Sequence, residues 1–336
     1  MSDVINEDEV FKLLDVKTLT GHIFGVQSVS TFTDSKTGQV YIVSGGQDWN
    51  LKIWNASDES CVKTLTGHIY GAVLSVSTFT DSKTNKVYIV SGSWNKTIKV
   101  WDASDGTCVK TLTGHNREVN SVSTFTDPNT NKVYIVSGSG DHTIKVWDTS
   151  DFTCVKTLTG HSNAVLSVST FTDAKTDNVY IVSGCYDSTI KVWDASDGSC
   201  VKTLTGHYLP VLSVSTFTET DKVYIVSGSE DNTIKIWDAS DATCVKTLHG
   251  HDSYVSSVST FTDSKSDKVY IVSGSYDKTI KVWDASDGTC VKTLPGHTNY
   301  VYSVSTFTDA NTDKVYIVSG SRDKTIKVWN ASNELM

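Results

Sequence analysis

Residues 224–238 read YIVSGSEDNTIKIWD, and nearly the same string occurs seven times, ending at Trp54, Trp101, Trp147, Trp193, Trp237, Trp283 and Trp329. The tryptophans stand 47, 46, 46, 44, 46 and 46 residues apart. A Gly-His pair keeps the same time, at His22, His68, His115, His161, His207, His251 and His297. A period in the forties marks a repeat architecture, in which each unit buries its apolar surface only against its neighbours. That outweighs the two-domain prior that 336 residues would suggest. With 3 prolines and no Gly/Ser-rich or charge-rich linker between repeats, no domain boundary is expected.

Composition narrows the partners. A net charge of −9 argues against nucleic acid, whose phosphates call for a basic face. It leans instead toward a neutral or basic protein partner. No apolar run reaches the length of a membrane span. The start, MSDVINEDEVFKLLDV, is acidic and lacks the basic and apolar regions of a secretory signal. Six of seven cysteines (Cys61, Cys108, Cys154, Cys200, Cys244, Cys290) stand seven residues after a repeat tryptophan. Equivalent positions in successive units are too far apart for disulfide geometry, so they read as small packing residues in a reducing cytosol. A cytoplasmic location is expected, with the nucleus left open. The sequons at Asn55, Asn95 and Asn330 then carry no glycan.

The second repeat runs from His68 through IYGAVLSVSTFTDSKTNKVYIVSGSWNKTIKVWDASDGTCVKTLTGH. Its four short β-branched and aromatic runs, VLSVSTF, KVYIVSG, TIKVWD and CVKTL, each end in turn-forming residues. Four antiparallel strands per repeat are predicted, without helix. One such sheet cannot bury both faces, whereas a ring of them leaves only short, protected edges.

The GH…SGS.D.TIK.WD pattern resembles the WD40 repeat family from about residue 16 to 330. The resemblance implies an all-β fold, a closed seven-bladed β-propeller of four-stranded antiparallel blades. The last repeat stops after its third strand at Trp329-Asn330, while DVKTLTGH before His22 matches the fourth strand of the other repeats. Residues 16–19 are therefore expected to complete the last blade, since an open edge would otherwise invite pairing with other chains. The expected organisation is one propeller over 1–336, with a tail over 1–15 and seven repeats over 20–330.

A His, a Ser and an Asp at near-fixed spacing in each repeat, with Asn95 for the Asp in the second, invite a nucleophilic reading. Seven copies argue against it, because a hydrolase needs one. The resemblance implies instead a buried hydrogen-bonded tetrad in each blade. By match its members are Trp54–Ser44–His22–Asp48, Trp101–Ser91–His68–Asn95, Trp147–Ser137–His115–Asp141 and Trp193–Ser183–His161–Asp187. The later blades give Trp237–Ser227–His207–Asp231, Trp283–Ser273–His251–Asp277 and Trp329–Ser319–His297–Asp323. Asn95 departs from the acid in the other six; its amide can still accept a bond but without charge assistance, so a weaker turn is expected there. His142 and His249 fall outside any Cys/His cluster, the SVSTF strands should line the channel with hydroxyls alone, and no phosphate loop occurs. Neither a metal, a cofactor nor a catalytic constellation is expected.

Function is sought where the repeats disagree: after Gly-His, at the start of the first strand, and just before the tetrad acid. In WD40 proteins these positions share one face around the channel mouth. Seven of fourteen tyrosines recur in one core position before IVSG, and the other seven fall at variable sites, as do Trp49 and Trp94. The family match places Gln47 in blade one, Leu74 and Trp94 in blade two, and Glu118 in blade three. It adds Leu166 and Tyr186 in blade four, then Leu212 and Glu230 in blade five. Tyr254 and Tyr276 follow in blade six, and Tyr300, Tyr302 and Arg322 in blade seven. The map predicts an apolar arc (Leu74, Leu166, Leu212), an aromatic arc on blades six and seven, and acids at Glu118 and Glu230 for a basic side chain. The expected function is a non-catalytic, monomeric scaffold that binds a peptide or protein segment on this face. The alternative is a lectin-like propeller, which should repeat one sugar pocket in several blades.

Overall fold

The computed structural model describes residues 16–310 and 312–331; the expected tail over 1–15 lies outside the described residues. In blade two the four runs become strands Val73–Asp81, Lys86–Ser93, Ile98–Asp102 and Cys108–Leu112, hydrogen-bonded in that order. Seven such antiparallel sheets form the ring, and their first strands adjoin one another around its axis. Among the described residues no helix is long and apolar enough to cross a membrane.

The ring closes through the start of the chain. Strand Lys17–Thr20 pairs antiparallel with Thr325–Asn330, placing Leu19 opposite Ile326 and Thr18 opposite Lys327. Leu19 is 2% exposed, in a cluster that joins Val318, Ile326 and Val328 of blade seven to Val26, Val29, Ile42 and Trp54 of blade one. Every blade interface repeats this arrangement. Between blades one and two it brings Val43, Leu51, Ile53 and Leu65 against Val73, Val76, Ile89 and Trp101. Burying each such side chain stabilises by about 1.5–3 kcal/mol, so these interfaces dominate the fold. The recurrent glycine of the SG pair belongs to them: a Cβ on Gly45 would come within 2.5 Å of Val73 Cγ1.

The inner strands do more than line the channel. The amide of Val76 donates to Ser28 Oγ of the preceding blade at 3.0 Å. Equivalent bonds of 3.0–3.1 Å link every successive pair, ending with Val29 N–H to Ser303 Oγ across the closure. Ser303→Ala leaves that buried amide without its acceptor. It is expected to lower unfolding stability by about 1–3 kcal/mol, measured by chemical denaturation.

The irregular intervals have local causes. Blade five joins its first two strands through Thr220 and Asp221, both at positive φ (46° and 65°), between the paired Glu219 and Lys222. This two-residue primed turn shortens the loop and gives the 44-residue interval. Blade two carries one extra residue after His68, and Tyr70 takes it up at φ 54°.

Two expectations are corrected. The six periodic cysteines are exposed, because they begin the outermost strand of their blades, where one face meets solvent. Only Cys185 is buried among the described residues. The recurrent tyrosines are half-buried apart from Tyr270, each stacked on the first-strand phenylalanine at 5.0–5.3 Å, as in Phe32–Tyr41. They sit at the clefts between blades rather than in the core.

Candidate binding face

The variable residues are held in place by a polar frame beneath them. In all seven blades His Nε2 lies 2.7–2.8 Å from Ser Oγ. The tryptophan Nε1–H donates to the same oxygen, at 2.8–2.9 Å in six blades and 3.4 Å from Trp329 to Ser319. These serines are fully buried, so their hydroxyls cannot reach a substrate. The six Ser-His-Asp sets, and the Ser-His-Asn set of blade two, thus serve structure.

Each aspartate ties two loops together. Asp141 Oδ2 meets His115 Nδ1 at 2.8 Å and accepts the amide of Asn116, while Oδ1 accepts the Thr143 hydroxyl at 2.6 Å. Burial by itself would raise the Asp141 pKa, but the bonds from His115 and Thr143 outweigh it and hold the carboxyl well below the usual range. Asp48, Asp231, Asp277 and Asp323 follow the same pattern, with His Nδ1 contacts of 2.6–2.8 Å. Blade two differs. Asn95 brings no charge to His68 Nδ1; its carbonyl oxygen accepts the Thr97 hydroxyl at 2.6 Å, and that hydroxyl lies 3.5 Å from Nδ1, as the equivalent threonine does at 3.4–3.5 Å in blades three, five and seven. Burial and the neighbouring Lys99 push His68 down to about 4.

On this frame the predicted positions come together blade by blade. The residue before the acid donates its amide to the carbonyl of the variable residue after Gly-His. These bonds run from Gln47 to Gly25, Trp94 to Ala72, Tyr186 to Ala164, Glu230 to Pro210, Tyr276 to Tyr254 and Arg322 to Tyr300, all at 2.8–3.0 Å. In blade three Gly140 bonds Glu118, whose side chain lies over that glycine. The third position is a β-bulge in every blade. Gln27, Leu74, Asn120, Leu166, Leu212, Ser256 and Tyr302 are each the extra residue between two paired ones. A bulge re-aims its side chain, which separates these seven residues from the apolar alternation of their strands.

The expected arcs are redrawn. The apolar one is broken, because Asn120 stands between Leu74 and Leu166 in the ring and donates to the Val165 carbonyl at 3.0 Å. The aromatic one is continuous and longer. Tyr276 stacks on Tyr300 at 4.5 Å and 5°, with Tyr254 at 5.5 Å and Tyr302 at 5.8 Å. Arg322 lies over the Tyr300 ring at 5.4 Å. A Cβ at Gly25 would touch both Tyr302 Cε2 and Arg322 Cα, at 3.3 and 3.2 Å, so blade one presses directly on this cluster. Lys324 reaches the Phe24 ring, and Trp49 meets Tyr70 at 5.6 Å across blades one and two. Trp94 is 60% exposed beyond them.

Blades six, seven, one and two therefore carry neighbouring aromatic clusters, Tyr254–Tyr276–Tyr300–Tyr302 and Trp49–Tyr70, with Phe24 and Trp94 beside them. In this sector Ile23, Phe24 and Ile69 are 54–68% exposed and were missed in the sequence. The usable signal was local: the residue after Gly-His is polar in blades three, four, six and seven, but Ile23 and Ile69 in blades one and two. Tyr186, Tyr208 and Leu209 are exposed elsewhere, on blades four and five. Glu230, at the edge of the sector beside Tyr276, is raised by burial and makes no ion pair among the described residues.

Comparison with known families settles the kinship. The profile of the WD domain, G-beta repeat family matches residues 14–55, 59–102, 106–148, 152–194, 198–238, 242–284 and 288–330. The protein belongs to the WD40 family. WD40 propellers typically serve as protein-interaction scaffolds, commonly bind proteins or peptides, and are generally non-catalytic. Comparison with individually curated proteins gives no match.

The opposite end of this WD40 ring carries a different feature. Five inter-blade clefts of about 290–440 Å³ recur, each lined by a Phe–Tyr pair, a lysine and polar turn residues. Phe171, Tyr180 and Lys202 line the one between blades four and five.

Proposed function

We propose that this propeller is a non-catalytic scaffold, monomeric in the cytosol or nucleus, that captures one peptide or protein segment across blades six, seven, one and two. One observation carries the reading: stacked, half-buried tyrosines on blades six and seven adjoin exposed Ile23, Phe24, Trp49, Ile69, Tyr70 and Trp94 on blades one and two. A single asymmetric ligand fits a sector better than a ring. Rigid tyrosines and tryptophans supply contact area at low entropic cost and dominate binding energy where they cluster. Glu230, half-desolvated and without a cation, favours a segment that places a Lys or Arg beside Tyr276. The triple variant Trp94→Ala, Tyr276→Ala, Tyr302→Ala is expected to weaken peptide-library capture by a hundredfold or more, roughly 3 kcal/mol. Its melting profile should stay cooperative. Unchanged capture by a folded triple variant would remove the sector from consideration.

The five equivalent clefts support a second reading, a multivalent glycan binder. Aromatic rings beside Asp, Lys and Ser suit a hydroxyl-rich ring, and repetition gives avidity. A glycan array decides: binding that survives the triple variant but loses avidity on Tyr180→Ala together with Tyr134→Ala favours the clefts.

A further inference from the structure

Blade four departs from the others at one buried position. The residue two before the tetrad acid is Ser93, Ser139, Ser229, Ser275 or Ser321 in five blades and Gly46 in blade one, but Cys185 in blade four. Its Sγ donates to the Asn163 carbonyl at 3.3 Å and accepts the Asp187 amide at 3.4 Å. Sγ, His161 Nδ1 and an Asp187 carboxylate oxygen all lie within 4.8 Å of one another.

The tetrad is altered where the thiol enters. His161 Nδ1 and Asp187 Oδ2 are 3.3 Å apart, against 2.6–2.8 Å in the five other His–Asp blades. Two ligand atoms at about 2.0 Å from a tetrahedral zinc are themselves about 3.3 Å apart. The pair is thus spaced as two zinc ligands would be, at the long end of the hydrogen-bond range. The far side of the imidazole is already furnished. Nε2 lies 2.7 Å from Ser183 Oγ, which accepts from Trp193 and donates to the Lys191 carbonyl at 3.4 Å. Ser183 can thus accept a hydrogen bond from Nε2–H while donating its own to Lys191, the arrangement a metal-bound histidine requires. Exposed Ser162, whose amide and hydroxyl reach Asp187 Oδ2 at 3.0 and 3.2 Å, marks the solvent side.

We propose that His161 Nδ1, Cys185 Sγ and an Asp187 carboxylate oxygen form a three-ligand site for a thiophilic divalent cation such as zinc, with the fourth position open to water. Binding releases the thiol proton to solvent and transfers the imidazole proton from Nδ1 to Nε2. Thiolate and carboxylate then balance the two positive charges of the ion. The set is borderline-soft, which selects zinc or cadmium over calcium or magnesium. Tyr186, exposed on the same face, lies between two of the ligands, so occupancy fixes the backbone that carries it.

The test uses the full chain after chelator treatment, with the six exposed cysteines alkylated in the folded state so that only buried Cys185 remains. Titration with cadmium should produce a thiolate-to-metal charge-transfer band that saturates at one equivalent and is displaced by zinc. Zinc should also raise the melting temperature. In Cys185→Ser both responses should vanish while the metal-free melting temperature holds, because five other blades carry serine at this position. Asp187→Asn should weaken cadmium binding at least tenfold with the band retained. A missing band, or one that persists in Cys185→Ser, overturns the site.

Discussion

Leu19→Asp is expected to open the ring and to lower unfolding stability by more than about 4 kcal/mol. Leu19 is 2% exposed and its cluster spans both ends of the chain. Removing a buried leucine side chain alone costs about 2–5 kcal/mol, and an unpaired carboxylate in its place adds a desolvation cost. The consequence reaches beyond blade seven. Without Lys17–Thr20, the strand Thr325–Asn330 offers a free edge, and free edges template association. Denaturation should therefore show a lowered midpoint together with oligomers by light scattering. A variant that stays monomeric with an unchanged midpoint would show that Lys17–Thr20 does not hold the ring together.

Acid should act first on blade two and, through the likewise buried and lowered His161, on blade four. His68 is pushed from 6.5 to about 4 by burial and Lys99, so the unfolded chain binds a proton there before the folded one does. The stability it contributes is whole above pH 6.5 and is lost as pH falls from 6.5 toward 4, on the order of 3 kcal/mol in all. The tetrad aspartates act lower. Their folded pKa values lie below the ordinary carboxylate value of 3.8, so their contribution stands above that value and is lost only as pH falls beneath it. Asn95→Asp would give His68 the carboxylate that its six counterparts possess. It should gain roughly 2 kcal/mol at about pH 5 and flatten the first acid limb, read by denaturant titration across pH. An unaltered limb would show that His68 does not set it.

The fold was readable because each blade repeats one local solution: β-branched alternation, a glycine where the next blade's valine presses, and a tryptophan that finds its acceptor. Strand limits in blade two fall within two residues of the apolar runs. The binding face was readable only in part. Disagreement between repeats pointed to Tyr276, Tyr300, Tyr302 and Trp94 as candidates, and the ring brings the three tyrosines into one cluster. Three things stayed hidden for physical reasons. Bulges at Leu74 and Tyr302 shift register by one residue, which strand periodicity does not encode. The exposure of Cys61 and its counterparts depends on their strand being outermost, a property of the ring rather than of the repeat. The meeting of His161 with Cys185 joins residues from different loops, and His161 was already spoken for as a tetrad member.

The decisive measurement is a calorimetric titration of the wild-type propeller and the triple variant with a peptide selected from a library. One peptide per chain, bound with Glu230-dependent affinity and lost in the folded Trp94→Ala, Tyr276→Ala, Tyr302→Ala protein, is the expected result. Binding of several peptides per chain, untouched by those three substitutions, would contradict a single site on the aromatic sector.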